Sequence, residues 1–287
     1  MGDDGDLGFA HRLADLAWEV AMRHVASGDR TAAEKEDGSP VTPADLRVEG
    51  ELRALVARER PADAFDGEEY AGRDGGPLRW VVDPVDGTGS LLAGEPEWST
   101  LIALARGRDV RLGVVSAPAL GRRWWASHGG GAWTAAFTGP PGGRGTPVPL
   151  RVSSADRLGR ARVGIWPPPQ RIGARERASA AGLAAGAEET VPDLDWTGRG
   201  TAEPPPPKPS TGSGTCHGGL LVAAGLLDAF LLVGAGPWDI AALVPIVREA
   251  GGAFSDLAGQ DRFDTGSALF SNGRVHGEAL DAVRPAP

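Results

Sequence analysis

The chain has 287 residues, enough for one large domain or two closely packed halves around a sizeable core. Its 41% hydrophobic and 23% charged residues are ordinary for a soluble globular enzyme, and a net charge of −9 disfavours a nucleic-acid role built on phosphate contacts. A single cysteine, Cys216, excludes an intrachain disulfide and a cysteine metal cluster.

No run reaches the roughly 18 apolar residues of a membrane span, and the acidic start Met1 to Asp6 is unlike a secretory signal. The expectation is a cytoplasmic protein with no membrane partner. Lys35 and Lys208 are the only lysines. The richness in Gly and Pro reads as composition bias.

Leu13, Leu16, Ala17, Val20 and Ala21 recur at helical spacing, predicting a first helix over about residues 7–26. Residues 26–38 are polar and read as a loop. Thr42 is a plausible N-cap with Pro43 at the first helical position, and the helix it opens runs to about Arg60, burying Leu52, Leu55 and Val56. Asp45 falls in the first turn, where the helix dipole alone accounts for a carboxylate. Asp66-Gly-Glu-Glu69 follows a short strand-like region, and an isolated Glu pair is usually a solvated surface feature.

Trp80, Val81 and Val82 run apolar into Asp83, as a buried strand does at its end, and Pro84 has no N–H with which to continue a ladder. Asp83 and Asp86 lie three apart across that break, before Gly87-Thr88-Gly89. A small-residue turn with exposed N–H groups suits a phosphate oxygen. Two carboxylates beside it suit a hard cation such as Mg²⁺. The competing reading is an Asp-rich surface turn, for which Asp-Gly is a common signal.

Ser99–Ala105, a turn at Arg106–Asp109, then Leu112–Ser116, Arg122–Trp125 and Gly131–Trp133 read as consecutive antiparallel strands. Their tryptophans and valines are read as core, except Trp98, kept as a pocket residue. A Gly/Pro-rich turn at Gly139–Gly145 joins two subdomains, about 1–150 and 151–287. Residues 166–213 are the least readable. They hold two proline tracts, Pro167–Pro169 and Pro204–Pro207, that favour extended chain in a loop or, alternatively, a docking motif, and an Ala-rich stretch suited to a helix. A buried helix over Leu220–Leu227, a strand over Ala229–Val233 and a helix from Gly236 through Ala250 complete the chain. By local sequence Asp239 is a cap residue.

Asp83-Pro-Val-Asp-Gly-Thr88 resembles the signature of the inositol monophosphatase superfamily, Mg²⁺-dependent, lithium-sensitive phosphomonoesterases. Pro40-Val-Thr-Pro-Ala-Asp45, Gly67-Glu-Glu69, and Trp238-Asp-Ile-Ala-Ala242 followed by Arg248-Glu-Ala-Gly-Gly252 are similar to its other motifs, in the same order. The run from Trp98 to Trp125 is similar to histidinol-phosphate phosphatases within it. The resemblance spans about residues 10–280 and is weak only over 155–215. It implies an α/β fold of alternating layers, an αβαβα sandwich, and a homodimer.

By this resemblance Glu68, Asp83, the Val85 carbonyl, Asp86 and Asp239 hold two or three Mg²⁺ ions. Glu69 is read as an outer or surface residue. Asp45, Thr88 and Glu68 form the catalytic set: Thr88 bonds the attacking water and Asp45 accepts from Thr88 as base or orienter. The N–H groups of Gly87 and Thr88 hold phosphate oxygens. The reaction implied is in-line displacement by water activated by the ions, with no phosphoenzyme.

The match fails on the leaving-group side. Thr88 is followed by Gly89-Ser90-Leu91 where the family has Thr or Lys, Asn, Phe. Leu232 stands where relatives place a substrate-binding glutamate, and Ser210 to His217 replaces an expected arginine. His217 and Lys208 are candidates for compensating contacts. Losing a charged contact to a polar substrate group costs about 2–5 kcal/mol. The reading is therefore a Mg²⁺-dependent phosphomonoesterase acting on a small phosphorylated metabolite, a sugar or nucleoside phosphate of a specialised pathway. The alternatives are a histidinol-phosphate phosphatase, an inositol monophosphatase, and a regulatory interaction protein on a phosphatase fold.

Overall fold

The structure, a computed structural model, describes residues 3–36, 38–137, 143, 145–191 and 217–284. Lys208, the Pro204–Pro207 tract, residues 210–216 and most of the 139–145 turn lie outside the described residues. The chain divides into two units, Met1–Pro149 with Ala241–Ile246, and Leu150–Ile240 with Val247–Pro287.

The first unit opens with α1 (Asp3–Ser27), whose Phe9, Ala10, Leu13, Ala14, Ala17, Val20 and Ala21 form one buried stripe. The polar loop that follows contains β1 (Ala33–Glu34), paired antiparallel with β2 (Pro40–Val41). Then come α2 (Pro43–Glu59), β3 (Ala64–Gly67), β4 (Leu78–Asp86), α3 (Thr88–Ala93), β5 (Ser99–Arg106), β6 (Asp109–Ala117), β7 (Arg122–Ser127), β8 (Gly131–Ala136) and β9 (Val148–Pro149). β3 to β9 lie in sequence order in one sheet, antiparallel except for the β3–β4 pair.

Strand alternation turns Trp80, Val82, Ile102, Leu104, Leu112 and Val114 towards the helices, where they meet Phe9, Leu13, Val48, Leu52 and Val56. Truncating one of these, such as Leu52, to Ala should cost about 2–5 kcal/mol. α2 is thereby locked onto β4, the strand that carries the central aspartates.

The second unit contains β10 (Arg162–Trp166), α4 (Ala174–Gly186), β11 (Glu189–Val191), α5 (His217–Ala223), β12 (Ala229–Val233), α6 (Pro237–Ala241, whose last residue counts with the first unit), β13 (Ala253–Ser255), β14 (Ser267–Ser271) and α8 (His276–Val283), while α7 (Leu243–Glu249) begins in the first unit and ends in the second. Its sheet has the order β11-β10-β12-β14-β13, with the first three strands parallel and the last two antiparallel. Val163, Ile165, Ala229, Leu231, Val233 and Leu269 face α4 and α8. Phe230 points the other way, against Gly218 of α5. The layered α/β class expected from the sequence is the fold observed.

Two of the expected helices differ in their bounds. The helix expected over 236–250 is broken at Ala242 into α6 and α7. Pro245 is the reason: it has no N–H for the Ala241 carbonyl, and its ring crowds that carbonyl. The helix expected to reach Leu227 stops at Ala223, because Gly225 turns the chain at φ 72°. Among the described residues, no helix is long and apolar enough to cross a membrane.

Candidate active site

β4 does not end at Asp83 as expected; it continues to Asp86 through Pro84. Asp83 pairs with Leu101 and Asp86 with Ser99, so β4 has one residue more than its partner between those positions. That extra residue is a β-bulge, a setting in which proline's missing N–H is tolerated. The Pro84 carbonyl is held instead by the Thr100 hydroxyl at 2.8 Å. In a regular strand residues three apart face opposite sides. The bulge cancels that alternation, and carboxylate oxygens of Asp83 and Asp86 come within 4.8 Å of each other. Both aspartates are buried.

Immediately after Asp86 the chain turns at Gly87, φ 88°, to open α3. A Cβ there would lie 2.7 Å from the Glu97 carbonyl, so both the left-handed backbone and the contact require glycine. Thr88, the first residue of α3, directs its hydroxyl at Asp45 Oδ1 (2.9 Å) and the Val85 carbonyl (3.0 Å).

Asp45 serves two purposes. Thr42 caps α2 and Pro43 begins it, as the sequence predicts, and Asp45 completes a capping box by accepting from the Thr42 N–H at 2.9 Å. The Thr42 hydroxyl bonds the same oxygen, Oδ2. Oδ1 is the oxygen that meets Thr88. Asp45 does lie in the first turn of α2, and the capping box adds a bond that the dipole account did not name while leaving one oxygen for a second partner.

Glu68 lies one residue beyond β3. Its carboxylate is hydrogen-bonded with Asp83 and feels the charge of Asp45, so the acidic residues of β3, β4 and α2 form one cluster. Burial pushes the Glu68 carboxyl above the usual range despite its bond to Lys35. Burial also pushes Glu69 up to about 7, against the pull of Lys35 and with the Glu68 charge adding to the rise. Lys35 Nζ bridges Glu68 Oε1 at 2.6 Å and Glu69 Oε1 at 2.7 Å. Burial works against the ammonium, but the two carboxylates outweigh it and hold Lys35 above the ordinary lysine range. The Glu69 side chain is only 4% exposed, so it is not a surface group.

Sequence reasoning missed the Lys35 bridge, and also the fully buried Glu49 beneath the same turn. The signals were the rarity of lysine and the spacing Asp45–Glu49 along one helix face.

An all-oxygen set of buried carboxylates, with an ammonium already drawn to it, fits a hard divalent cation. It suits a softer metal less well, because among the described residues no sulfur or imidazole takes part. In the second unit, Asp239 is the third residue of α6 and accepts from the Gly236 N–H at 2.6 Å, the bond expected of a cap residue.

The residues expected to set specificity are unalike. Gly89 is exposed, with nothing within 4 Å of the position a Cβ would take. Ser90 is buried on α3, and His217 is buried at the start of α5. Trp98 is 2% exposed and packs in the helix-on-sheet core of the first unit. Leu232 alternates to the Phe230 face of β12 and is also buried.

The inositol monophosphatase family profile matches residues 6–285. A histidinol-phosphatase of Mycobacterium tuberculosis is 38% identical, covering 96% of this chain and 96% of its own. A Streptomyces griseus protein named glucose-1-phosphate thymidylyltransferase is 36% identical, covering 91% of this chain and 90% of its own. Among solved structures, an inositol monophosphatase from Zymomonas mobilis matches with a TM-score of 0.76 at 26% identity over 98% of each chain. Bulged acidic strand, helix-capping Asp45, half-buried Glu68 and full-length likeness lead to one assignment: the chain belongs to the inositol monophosphatase family and is a phosphoric monoester hydrolase.

Proposed function

We propose that the chain hydrolyses the phosphate monoester of a small metabolite with Mg²⁺ held by Glu68, Asp83, the Val85 carbonyl, Asp86 and Asp239. The ions, when bound, offset the charge of the phosphate dianion and lower the pKa of a water. The observation that carries the reading is the Thr88 hydroxyl 2.9 Å from Asp45 Oδ1, two residues after Asp86. A threonine that donates to a carboxylate keeps its oxygen lone pairs for a proton arriving from water. Asp45 Oδ2 is engaged by Thr42, so Oδ1 is the atom to which that proton passes. The N–H groups of Gly87 and Thr88, at the start of α3, lie where intrahelical partners are lacking and favour phosphate oxygens. Asp239 joins this set by the family resemblance.

For the leaving group, the reading is a neutral polyol or sugar rather than a cationic amine, because Leu232 offers no carboxylate. The name of the S. griseus relative agrees with a sugar phosphate. Histidinol phosphate is the second reading, favoured by 38% identity to a histidinol-phosphatase. Phosphate release from a panel of sugar, nucleoside, inositol and histidinol phosphates decides between them. Fast turnover confined to histidinol phosphate would overturn the first reading, and no Mg²⁺-dependent turnover of any member would overturn both.

A further inference from the structure

α2 carries a second buried carboxylate that the reaction does not use. Glu49 lies one helical turn after Asp45 on the same face, with no exposed surface. Its Oε2 accepts the Glu69 N–H at 2.7 Å, and its Oε1 accepts the Tyr70 N–H at 3.2 Å. Arg53, a further turn along, donates to Oε1 at 3.2 Å and balances the charge. On the other side of Glu68, Gly67 lies so close that a Cβ there would be 2.1 Å from the Glu49 carboxylate. The turn 67–70 is thus wrapped around the Glu49 head group, and Glu68 is the residue in the middle of the wrap.

We infer that Glu49 is a positioning residue: it fixes the backbone on both sides of Glu68 and so sets the aim of the Glu68 carboxylate and the affinity of the site for Mg²⁺. The inference rests on the reading of Glu68 as a metal ligand. One rigid helix then places both Asp45, which meets Thr88, and the acid that holds the ligand turn. Their separation is about one 5.4 Å helical pitch and does not depend on loop conformation. A carboxylate suits this task better than an amide, because it offers acceptors to two N–H groups and the guanidinium at once. Glutamine would turn a donor towards one of them.

The test is Mg²⁺ binding to the purified full-length chain by titration calorimetry, beside the Mg²⁺ dependence of phosphate release and thermal unfolding. Glu49→Gln should raise the Mg²⁺ dissociation constant about tenfold, in the range seen when groups that orient metal ligands are altered. The rate at saturating Mg²⁺ should change by less than about twofold. Glu49→Asp, which keeps the charge and loses the reach, should do no better. Gly67→Ala, which pushes on the same carboxylate from above, should raise the constant likewise and serves if the Glu49 variants do not fold. Val48→Ala, on the adjacent buried position, should lower the melting temperature and leave Mg²⁺ binding unchanged. If Glu68→Gln weakens Mg²⁺ binding while the Glu49 and Gly67 variants stay within twofold of the parent, Glu49 only packs and the inference fails. If Glu68→Gln has no effect either, the ligand assignment fails first.

Discussion

The residues proposed for the phosphate and those proposed for the leaving group are held in different surroundings. Asp45 is held by the Thr42 N–H, the Thr42 hydroxyl and the Thr88 hydroxyl, and Glu68 is held by Lys35, by Asp83 and through its flanking backbone by Glu49. Gly89 has no side chain, Trp98 is absorbed into the core, and Leu232 offers only methyl groups to its sheet face. On the proposed reading, charge and directed hydrogen bonds serve the bond that is cut, and the residues proposed for the leaving group offer no charge. The two sides therefore predict separable failures: a defect in rate at unchanged substrate ranking, or a change of ranking at unchanged chemistry.

The largest effect belongs to the phosphate side. Asp45→Asn keeps the size of the side chain and removes the proton acceptor, so kcat should fall about 10²–10⁴-fold for every substrate alike. Weakening of the capping box adds a stability loss of about 1 kcal/mol, read from the melting temperature. Should Asp45→Asn retain kcat within about threefold, the Thr88–Asp45 pair is only structural and the contrast between the sides collapses. Next in size is Leu232→Glu. A carboxylate there should raise kcat/KM for histidinol phosphate relative to a neutral sugar phosphate at least about tenfold, a modest share of the ~2–5 kcal/mol of a paired charge. Burying it unpaired should lower the melting temperature, with recovery on adding histidinol phosphate. An unchanged ranking would remove Leu232 from the specificity account.

These contrasts also explain how much was legible in the sequence. The Thr42-Pro43 cap and the antiparallel run from Ser99 follow from local chemistry and periodicity, the layered class follows from the family resemblance, and the structure has all three. Asp45 was legible twice over, as a first-turn acid favoured by the helix dipole and by family likeness, and the two readings are compatible because a carboxylate has two oxygens. Pro84 misled, since the missing N–H that ends most strands is accommodated here by a bulge, and a bulge is a property of the pair with β5 rather than of β4. Pro245 was a readable break in the 236–250 helix that the strong apolar periodicity masked. The bonds from Lys35 to Glu68 and from Glu49 to Glu69 cross 33 and 20 positions of chain, and no window of local pattern contains them. Trp98 packs into the core, which aromatic character alone does not foretell, because it does not say which side of a strand end faces inward.

The bulge itself is open to a smaller test. Thr100→Val removes the hydroxyl that bonds the Pro84 carbonyl and keeps the β-branched shape. Leaving that buried carbonyl without its partner should cost about 1–3 kcal/mol of stability, measured by denaturant unfolding. As Asp83 and Asp86 share a face only through the bulge, Mg²⁺ half-saturation should rise as well, while the ranking of substrates stays as in the parent. A shift in ranking would mean that the two sides are coupled through β5.

The smallest effect is one of pH, and its sign separates the phosphate side from an ordinary acidic surface. A surface carboxylate paired with a cation has a lowered pKa and adds stability as pH rises. Glu69 does the reverse: burial raises it to about 7 from an unfolded value of 4.5, so between those limits the folded chain binds more protons than the unfolded one. Stability of the metal-stripped protein should therefore fall as pH rises from about 4.5 to 7 and level off above that, with Glu68 contributing in the same direction. Lys35 moderates the fall by staying charged throughout, so Lys35→Met should steepen it. Added Mg²⁺ should flatten it, because a divalent cation favours the ionised carboxylates. Melting temperatures of parent and Lys35→Met across that range, with Mg²⁺ and with chelator, test the sign. A rise in stability with pH in the chelated parent would show that these carboxylates are solvated, and that the cluster lacks the mutual repulsion that a divalent cation would relieve.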